Sequence, residues 1–249
     1  MEDDFSQWKE PASGLMTTER SMLVYNSSIA KKIAKNFPYN GNILEFGAGI
    51  GTLATLFKTI KGIKPKCLEI DPSLKHILDD RGFKCYENIQ QIDELFDGVY
   101  TSNVLEHIED DVDALQQIRS VMKTQSNLVV YVPAFQCLYS SWDNSVGHYR
   151  RYNKKELLFK LDVAGFDVTK VIYVDTLGFF ASFAARIFRY KKPAKVKNEK
   201  IENYHVADKR VLILYDRLFY RVSQIFDFIG FRYVLGKNIL AVAKVKKKI

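Results

Sequence analysis

The spacing of apolar residues changes repeatedly along this chain. Short β-branched or apolar runs predict strands near 42–46, 66–70, 83–86, 97–102 and 127–132, and the segments between them carry the spacing of amphipathic helices. Strands that alternate with helices predict a parallel sheet covered on both faces. Ahead of the series, Ser27–Phe37 has apolar residues at helical spacing behind a serine cap and stops at Pro38. Beyond it, Lys154–Ala164 reads as a helix closed by Gly165, Phe166–Val174 as a strand and Asn238–Val245 as the last strand. About sixty residues separate those two strands, too many for a structureless loop in a compact domain. Leu177–Tyr190 and Arg210–Ile229 interleave aromatic and aliphatic residues with Arg and Lys, so two or three amphipathic helices are expected there.

One junction carries more information than the rest. In Asn42-Ile43-Leu44-Glu45-Phe46-Gly47-Ala48-Gly49-Ile50-Gly51 an apolar strand breaks into three glycines at alternate positions and then becomes helix-like over Thr52–Lys61. Glycines lack the Cβ that would hold a ligand off the backbone, and the amides of the next helix point at whatever is bound. The second strand-like run, Lys66–Asp71, places Glu69 some twenty residues past the glycines. In a βαβ unit an acid at that point suits the two hydroxyls of a nucleoside ribose.

These residues resemble the class I S-adenosylmethionine-dependent methyltransferases. Glu45 matches the acid before the glycine turn, Glu69 the ribose-binding acid, and Phe96–Ile108 the fourth strand and its following loop. The resemblance covers roughly Gly41 to Asp175 and resumes at the last strand. It departs at Lys123-Thr124-Gln125-Ser126, where the family has a lysine-proline-glycine-glycine turn. The fold it implies is α/β and Rossmann-like, a mostly parallel seven-stranded sheet with an antiparallel last strand and a helical insertion between strands six and seven. It further implies an N-terminal helical cap (1–40), a cofactor-binding domain (41–175 and 237–249) and the insertion (176–236). The cofactor implied is S-adenosylmethionine, leaving S-adenosylhomocysteine as product. Gly47, Ala48, Gly49 and Gly51 would give backbone approach, Glu45 would orient the methionine ammonium and Glu69 would hold the ribose. Ile70 would pack on the adenine, Asn88 (or its neighbour Glu87) would meet the adenine amino group, and Asn103 would complete the set.

Methyl transfer to a hydroxyl needs alignment and a base. His107, after the fourth strand, and His148 are the candidates. His148 lies in Gly147-His148-Tyr149-Arg150-Arg151-Tyr152, a run that resembles a signature of a bacterial methyltransferase subgroup associated with surface-polysaccharide and lipid-linked sugar genes. That resemblance implies acceptor binding by Tyr149, Arg150, Arg151 and Tyr152, since paired arginines suit a phosphate, carboxylate or sugar. The residues alone leave another use open, in which an arginine bridges a carboxylate such as Asp143 while the tyrosines pack. In ubiquinone-pathway and small-RNA O-methyltransferases the loop after strand four carries a metal-binding glutamate-x-x-glutamate-histidine. Here Asn103 stands in its first position, leaving Glu106, His107 and His148, and no metal is expected.

Composition narrows the class. A chain of 249 residues, 47% hydrophobic and 27% charged, is long enough for one α/β domain with an elaboration and is not disordered throughout. No apolar run reaches the roughly twenty residues of a membrane span, and the start Met1-Glu2-Asp3-Asp4 is unlike a signal peptide, so a cytoplasmic protein is expected. Cys67, Cys85 and Cys137 lack metal-type spacing and read as reduced packing residues. The net charge of +8 is concentrated in Arg189–Lys197 and Lys244–Lys248. It marks either a solvated loop and tail or a surface for an anionic membrane. The expected partner is a small-molecule, glycan or lipid-linked acceptor, with peripheral membrane contact through 177–236. An RNA acceptor, or a binding protein that keeps the fold without catalysis, is the alternative.

Overall fold

A computed structural model of the chain describes residues 12–190 and 209–247, the side chains of 188–190 excepted. Strands β1 (Ile43–Phe46), β2 (Lys66–Leu68), β3 (Cys85–Tyr86), β4 (Phe96–Ser102), β5 (Met122–Pro133), β6 (Phe166–Val174) and β7 (Asn238–Val245) form one sheet. Its order is β3-β2-β1-β4-β5-β7-β6. The first five pair in parallel, and β7 runs antiparallel between β5 and β6. The expected strands are all present, the early ones shorter and β5 longer. Lys123–Ser126, where a glycine turn is missing, lies within β5, with Gln125 at φ +66° and its amide donating to the Val245 carbonyl.

Alternation along the central strands decides which helix covers which face. Leu128, Val130 and Val132 of β5 pack with Ala114, Leu115 and Ile118 of α5 (Asp111–Ser120) and with Leu157 and Leu161 of α7 (Lys154–Val163). Val129 and Tyr131 point the other way, into a core with Ile29 and Ile33 of α2 (Leu23–Ala34) and Phe57 of α3 (Thr52–Lys61). Helix α4 (Pro72–Asp80), capped by Asp71, closes the β2–β3 crossover. Cys67, Cys85 and Cys137 are free thiols.

The helix expected to start at a serine cap starts earlier. Helix α2 opens at Leu23, its N-cap residue Met22 offers no side-chain acceptor, and Ser28 is buried within it. The orphan amides of its first turn go instead to a distant carboxylate: Asp216 accepts from Val24 N (2.9 Å) and Tyr25 N (2.7 Å). Asp216 belongs to the segment between β6 and β7. That segment contains α8 (Thr176–Tyr190), α9 (Lys209–Leu214), a π-helical turn (Tyr215–Phe219) and α10 (Tyr220–Phe228), the last three continuous. The basic stretch 191–208, Lys248 and the first eleven residues lie outside the described residues.

A buried polar hub anchors these helices to the sheet. Asp175, at φ +69° directly after β6, accepts from the Tyr215 hydroxyl, from Ser223 Oγ (2.9 Å) and from Gly178 N (3.0 Å). Asp227 accepts from the amides of Asp175 and Thr176 and from the Thr176 hydroxyl (2.6 Å). The π turn sets Tyr215 and Asp216 side by side, one toward Asp175 and the other toward α2. No helix among the described residues is long and apolar enough to cross a membrane.

Asp216→Ala strands two amides that are kept from water, at a cost of about 1–3 kcal/mol. Asp216→Asn, which keeps one acceptor oxygen, should cost less. Urea unfolding of the three proteins measures the order, and an alanine variant as stable as the parent contradicts the non-local cap.

Candidate active site

The turn after β1 is left-handed at three glycines, Gly47 (φ +74°), Gly49 (φ +56°) and Gly51 (φ +80°). They answer different demands. A Cβ at Gly47 would collide with Val104, and one at Gly51 would stand 2.6 Å from Leu78 Cδ2, so both glycines admit neighbouring side chains. At Gly49 a Cβ would meet only Leu15 Cδ1, at 3.6 Å. Gly49 therefore faces open space and is kept glycine by its backbone angle and by whatever enters there. The amides of Gly47 and Ala48 are tied to the Leu68 carbonyl, which fixes the turn on β2.

Two buried carboxyls line this turn. Glu69 Oε2 accepts from Gly49 N (2.7 Å) and Oε1 from Asp71 N (3.0 Å). Burial raises its pKa, against those amides, which lower it. Glu45 accepts from the hydroxyl of Tyr100 (2.9 Å), its register partner on β4, and burial pushes its pKa up to about 8, with the Glu69 charge adding to the rise. No described cationic side chain bridges to either. Two desolvated acids without a cation suit a ligand that brings its own positive charge, and S-adenosylmethionine carries an ammonium and a sulfonium. Ile70, 49% exposed, stands beside Glu69 as an apolar platform. Helix α1 (Ala12–Ser21) roofs the turn with Leu15, and its Glu19 is held by Arg81 (2.8 and 2.9 Å) and Thr52.

Two further cofactor candidates have local uses. The side-chain oxygen of Asn88 caps a short 3₁₀ turn by accepting from Gln91 N (3.1 Å), so the atom that would accept from an adenine amino group already has a local donor. Asn103 is exposed at φ +54°, with its backbone amide on the Tyr131 carbonyl. Tyr100 and Leu15 were not expected at the site. Tyr100 reaches Glu45 only through the parallel register of β1 and β4, which no local sequence signal marks.

The histidines do meet. The rings of His107 and His148 are 4.6 Å apart, edge to face. Burial, and the His148 charge after it, pull the His107 pKa down to about 4, against hydrogen bonding to the Val146 and Gly147 carbonyls. His148 Nδ1 lies 2.8 Å from Asp143 Oδ1 in the short helix α6 (Ser141–Ser145). Burial works against ionisation of Asp143, but His148 and Arg151 outweigh it and hold its pKa at about 2. An ionised Asp143 makes Nδ1–H the donor and leaves Nε2 of His148 facing Glu106 Oε1 at 3.9 Å. Glu106 is buried behind the pair, its carboxyl hydrogen-bonded to no other residue and its pKa raised to about 8 by burial. Glu106, His107 and His148 each bring one ligand atom within 4.8 Å of the others, the set that could hold a metal. With one carboxyl and two imidazoles, the set offers less negative charge than a hard cation usually takes.

The expected acceptor-binding run needs correction. Arg151 is buried and grips Asp143 through Nε (2.7 Å) and Nη2 (3.1 Å). Tyr152 is buried with its hydroxyl on Asp111 Oδ2 (2.6 Å), and Arg150 meets Asp111 (2.9 Å) and the Glu109 carbonyl. All three side chains engage carboxylates or backbone, with Nη1 of Arg151 left buried without a hydrogen-bond partner. Of the run, Tyr149 alone is exposed, with its amide on the Glu106 carbonyl.

Comparison with known proteins agrees with this geometry. A family model described as a methyltransferase domain matches residues 20–171. No curated protein matches the sequence. Among solved structures, the methyltransferase in the complex with the Haloferax volcanii Trm112 methyltransferase activator superposes with a TM-score of 0.62 at 13% identity, covering 99% of this chain and 100% of that one. A SAM-dependent methyltransferase of Thermotoga maritima gives 0.58 at 16% identity over 93% and 96% of the two chains, and one of Archaeoglobus fulgidus gives 0.55 at 18% over 88% and 92%. Likeness at these identities concerns the fold.

Gly49→Ala should leave the core intact, at a cost of about 1–2 kcal/mol for the left-handed backbone, and should remove S-adenosylmethionine binding. Gly51→Ala should lose more stability, because Leu78 must move. Calorimetric titration alongside chemical unfolding separates the two, and tight binding by Gly49→Ala contradicts the assignment of the open side to the ligand.

Glu45 also makes a pH prediction. Its folded pKa, about 8, lies above the ordinary 4.5, so its contribution to stability is whole below 4.5 and is lost as pH rises through 8. Each pH unit in that interval is worth about 1.4 kcal/mol. The ligand-free protein should therefore melt lower at pH 9 than at pH 6, and Glu45→Gln should lose less over the same interval. Parallel melting curves against pH for the two proteins contradict the buried, cation-free carboxyl.

Proposed function

The chain belongs to the methyltransferase-domain family, and on that premise we propose that it methylates a hydroxyl of a small-molecule, glycan or lipid-linked acceptor. S-adenosylmethionine, when bound, supplies an electrophilic methyl group on its sulfonium sulfur. In this reading the open backbone at Gly49 lets the cofactor approach the turn of Gly47, Ala48, Gly49 and Gly51, the carboxyls of Glu45 and Glu69 hold and orient it, Ile70 supports its adenine, and Asn88 and Asn103 close the ends of its pocket.

The observation that carries the reading is the place of His107, on the turn after β4 with its ring 4.6 Å from that of His148. Burial lowers its pKa, so the imidazole is neutral at physiological pH and has a lone pair to receive a proton. Its loop is seated against the glycine turn through Val104, which fills the space over Gly47. With S-adenosylmethionine and acceptor bound, His107 would take the proton that the acceptor hydroxyl gives up on methylation. His148, oriented by Asp143 and touching His107, holds that ring in place. The resemblance of Gly147–Tyr152 to a subgroup associated with polysaccharide and lipid-linked sugar genes supports an oxygen acceptor, with Arg150, Arg151 and Tyr152 building the frame and Tyr149 facing the acceptor.

Transfer of tritiated methyl from S-adenosylmethionine into fractionated lysate of the source organism identifies the acceptor class. Label confined to RNA or to protein counts against the proposal. With the acceptor in hand, His107→Ala should keep cofactor affinity and lower turnover by about 10²–10⁴-fold, and His148→Ala should lower it less. Full turnover by a folded His107→Ala protein contradicts the base assignment, and loss of wild-type turnover with chelator transfers the Glu106–His107–His148 cluster to a metal.

A further inference from the structure

Away from the glycine turn, a groove of about 710 Å³ opens between α2, the edge strand β6 and α10. Its lining is strongly cationic: Lys31, Lys32 and Lys35 come from α2, Lys170 from β6 and Arg232 from the turn after α10. Asp227 is the one acidic side chain in that lining, and both of its oxygens are already occupied by Asp175 N, Thr176 N and the Thr176 hydroxyl. The cations are crowded. Lys35 lies within hydrogen-bonding reach of Lys170, and burial, with repulsion from Lys170 and Arg232, lowers its pKa. Arg232 Nε is buried without a hydrogen-bond partner. Five positive groups face a single lining carboxylate, Asp227, whose charge acts on Lys32, and that excess of positive charge is what an entering polyanion would relieve.

The rim says what the anion is attached to. Leu23 and Phe228 border the groove and are 61% and 78% exposed. Ile225 stands exposed three residues before Phe228 on the same helical face, and Ile229 stands exposed at the end of the helix. A soluble phosphate has no use for such a rim, whereas a lipid presents its phosphate at the level where apolar side chains enter the membrane interface. We propose that this groove seats the phosphate head of an anionic membrane lipid, with Phe228 and its neighbours entering the interface beside it, so that the enzyme works at a membrane surface. The groove shares no lining residue with the glycine turn or the histidine cluster. The inference therefore stands whether the acceptor is soluble or lipid-linked.

Co-sedimentation of the full chain with vesicles tests it. Binding to equimolar phosphatidylcholine and phosphatidylglycerol vesicles at low salt is expected, with none to phosphatidylcholine alone. Lys35→Glu/Lys170→Glu should weaken the partition by about tenfold or more. Phe228→Ser should weaken it while leaving the response to added pyrophosphate unchanged. S-adenosylhomocysteine binding equal to the parent, and thermal unfolding that stays cooperative, show that the variants are folded. Four results overturn the proposal. They are no binding to the anionic vesicles, equal binding by the charge-reversed variant, pyrophosphate binding in this groove without vesicle binding, and loss of RNA binding in that variant with vesicle binding intact.

Discussion

The arrangement of this molecule hangs on a left-handed turn between β1 and α3. Backbone at positive φ is costly for any residue with a Cβ, and the chain takes it three times within five residues. Each instance places something. Gly47 lets Val104 close over the turn, which draws the loop of Glu106 and His107 toward it. Gly51 lets Leu78 of α4 pack beneath. Gly49 turns its amide to Glu69 and leaves its other side open. A bulkier turn would separate these loops and the two buried acids, and nothing elsewhere in the sheet could bring them back.

A second constraint couples the roof to the insertion. The first amides of α2 have no local acceptor, and Asp216 supplies one from 192 residues away. Tyr25 at that helix start also meets the Tyr131 hydroxyl (3.1 Å), and Asn238 meets Tyr25 (3.2 Å), so α2, β5 and β7 share one polar seam. The insertion reaches the other side of the cleft as well, since Arg186 of α8 donates to the carbonyls of Cys137 and Tyr139 before α6. The helices between β6 and β7 thus grip both the N-terminal cap and the segment that carries Asp143.

Much of this was legible in the sequence where the signal is local. The helix Thr52–Lys61 and the strands Phe166–Val174 and Asn238–Val245 stand where apolar spacing puts them, because each is bounded by its own glycine, turn or change of period. The α2 start was misplaced because its cap is not local, and Ser27 supplied a false one. Tyr100 escaped notice because a parallel register, unlike a hairpin, leaves no mark in the chain. The arginines of Gly147–Tyr152 misled for a related reason. Their chemistry suits phosphate and carboxylate alike, and only the fold reveals that Asp111 and Asp143 lie within reach.

That outcome changes what the run is for. A buried ion pair contributes little net stability, but breaking it is costly, so Asp143, His148 and Arg151 hold one arrangement against all others. The same carboxylate orients an imidazole and neutralises a guanidinium, which ties the segment of α6 to the histidines with little freedom left. Aromatic side chains border that frame: Trp142 meets the His148 ring edge to face, Tyr149 lies under the Arg150 guanidinium, and Phe135 stacks on Tyr173 and meets Phe179 of α8 edge to face. Charge fixed inside and aromatic surface outside divide the segment between holding its own shape and facing what lies beyond it.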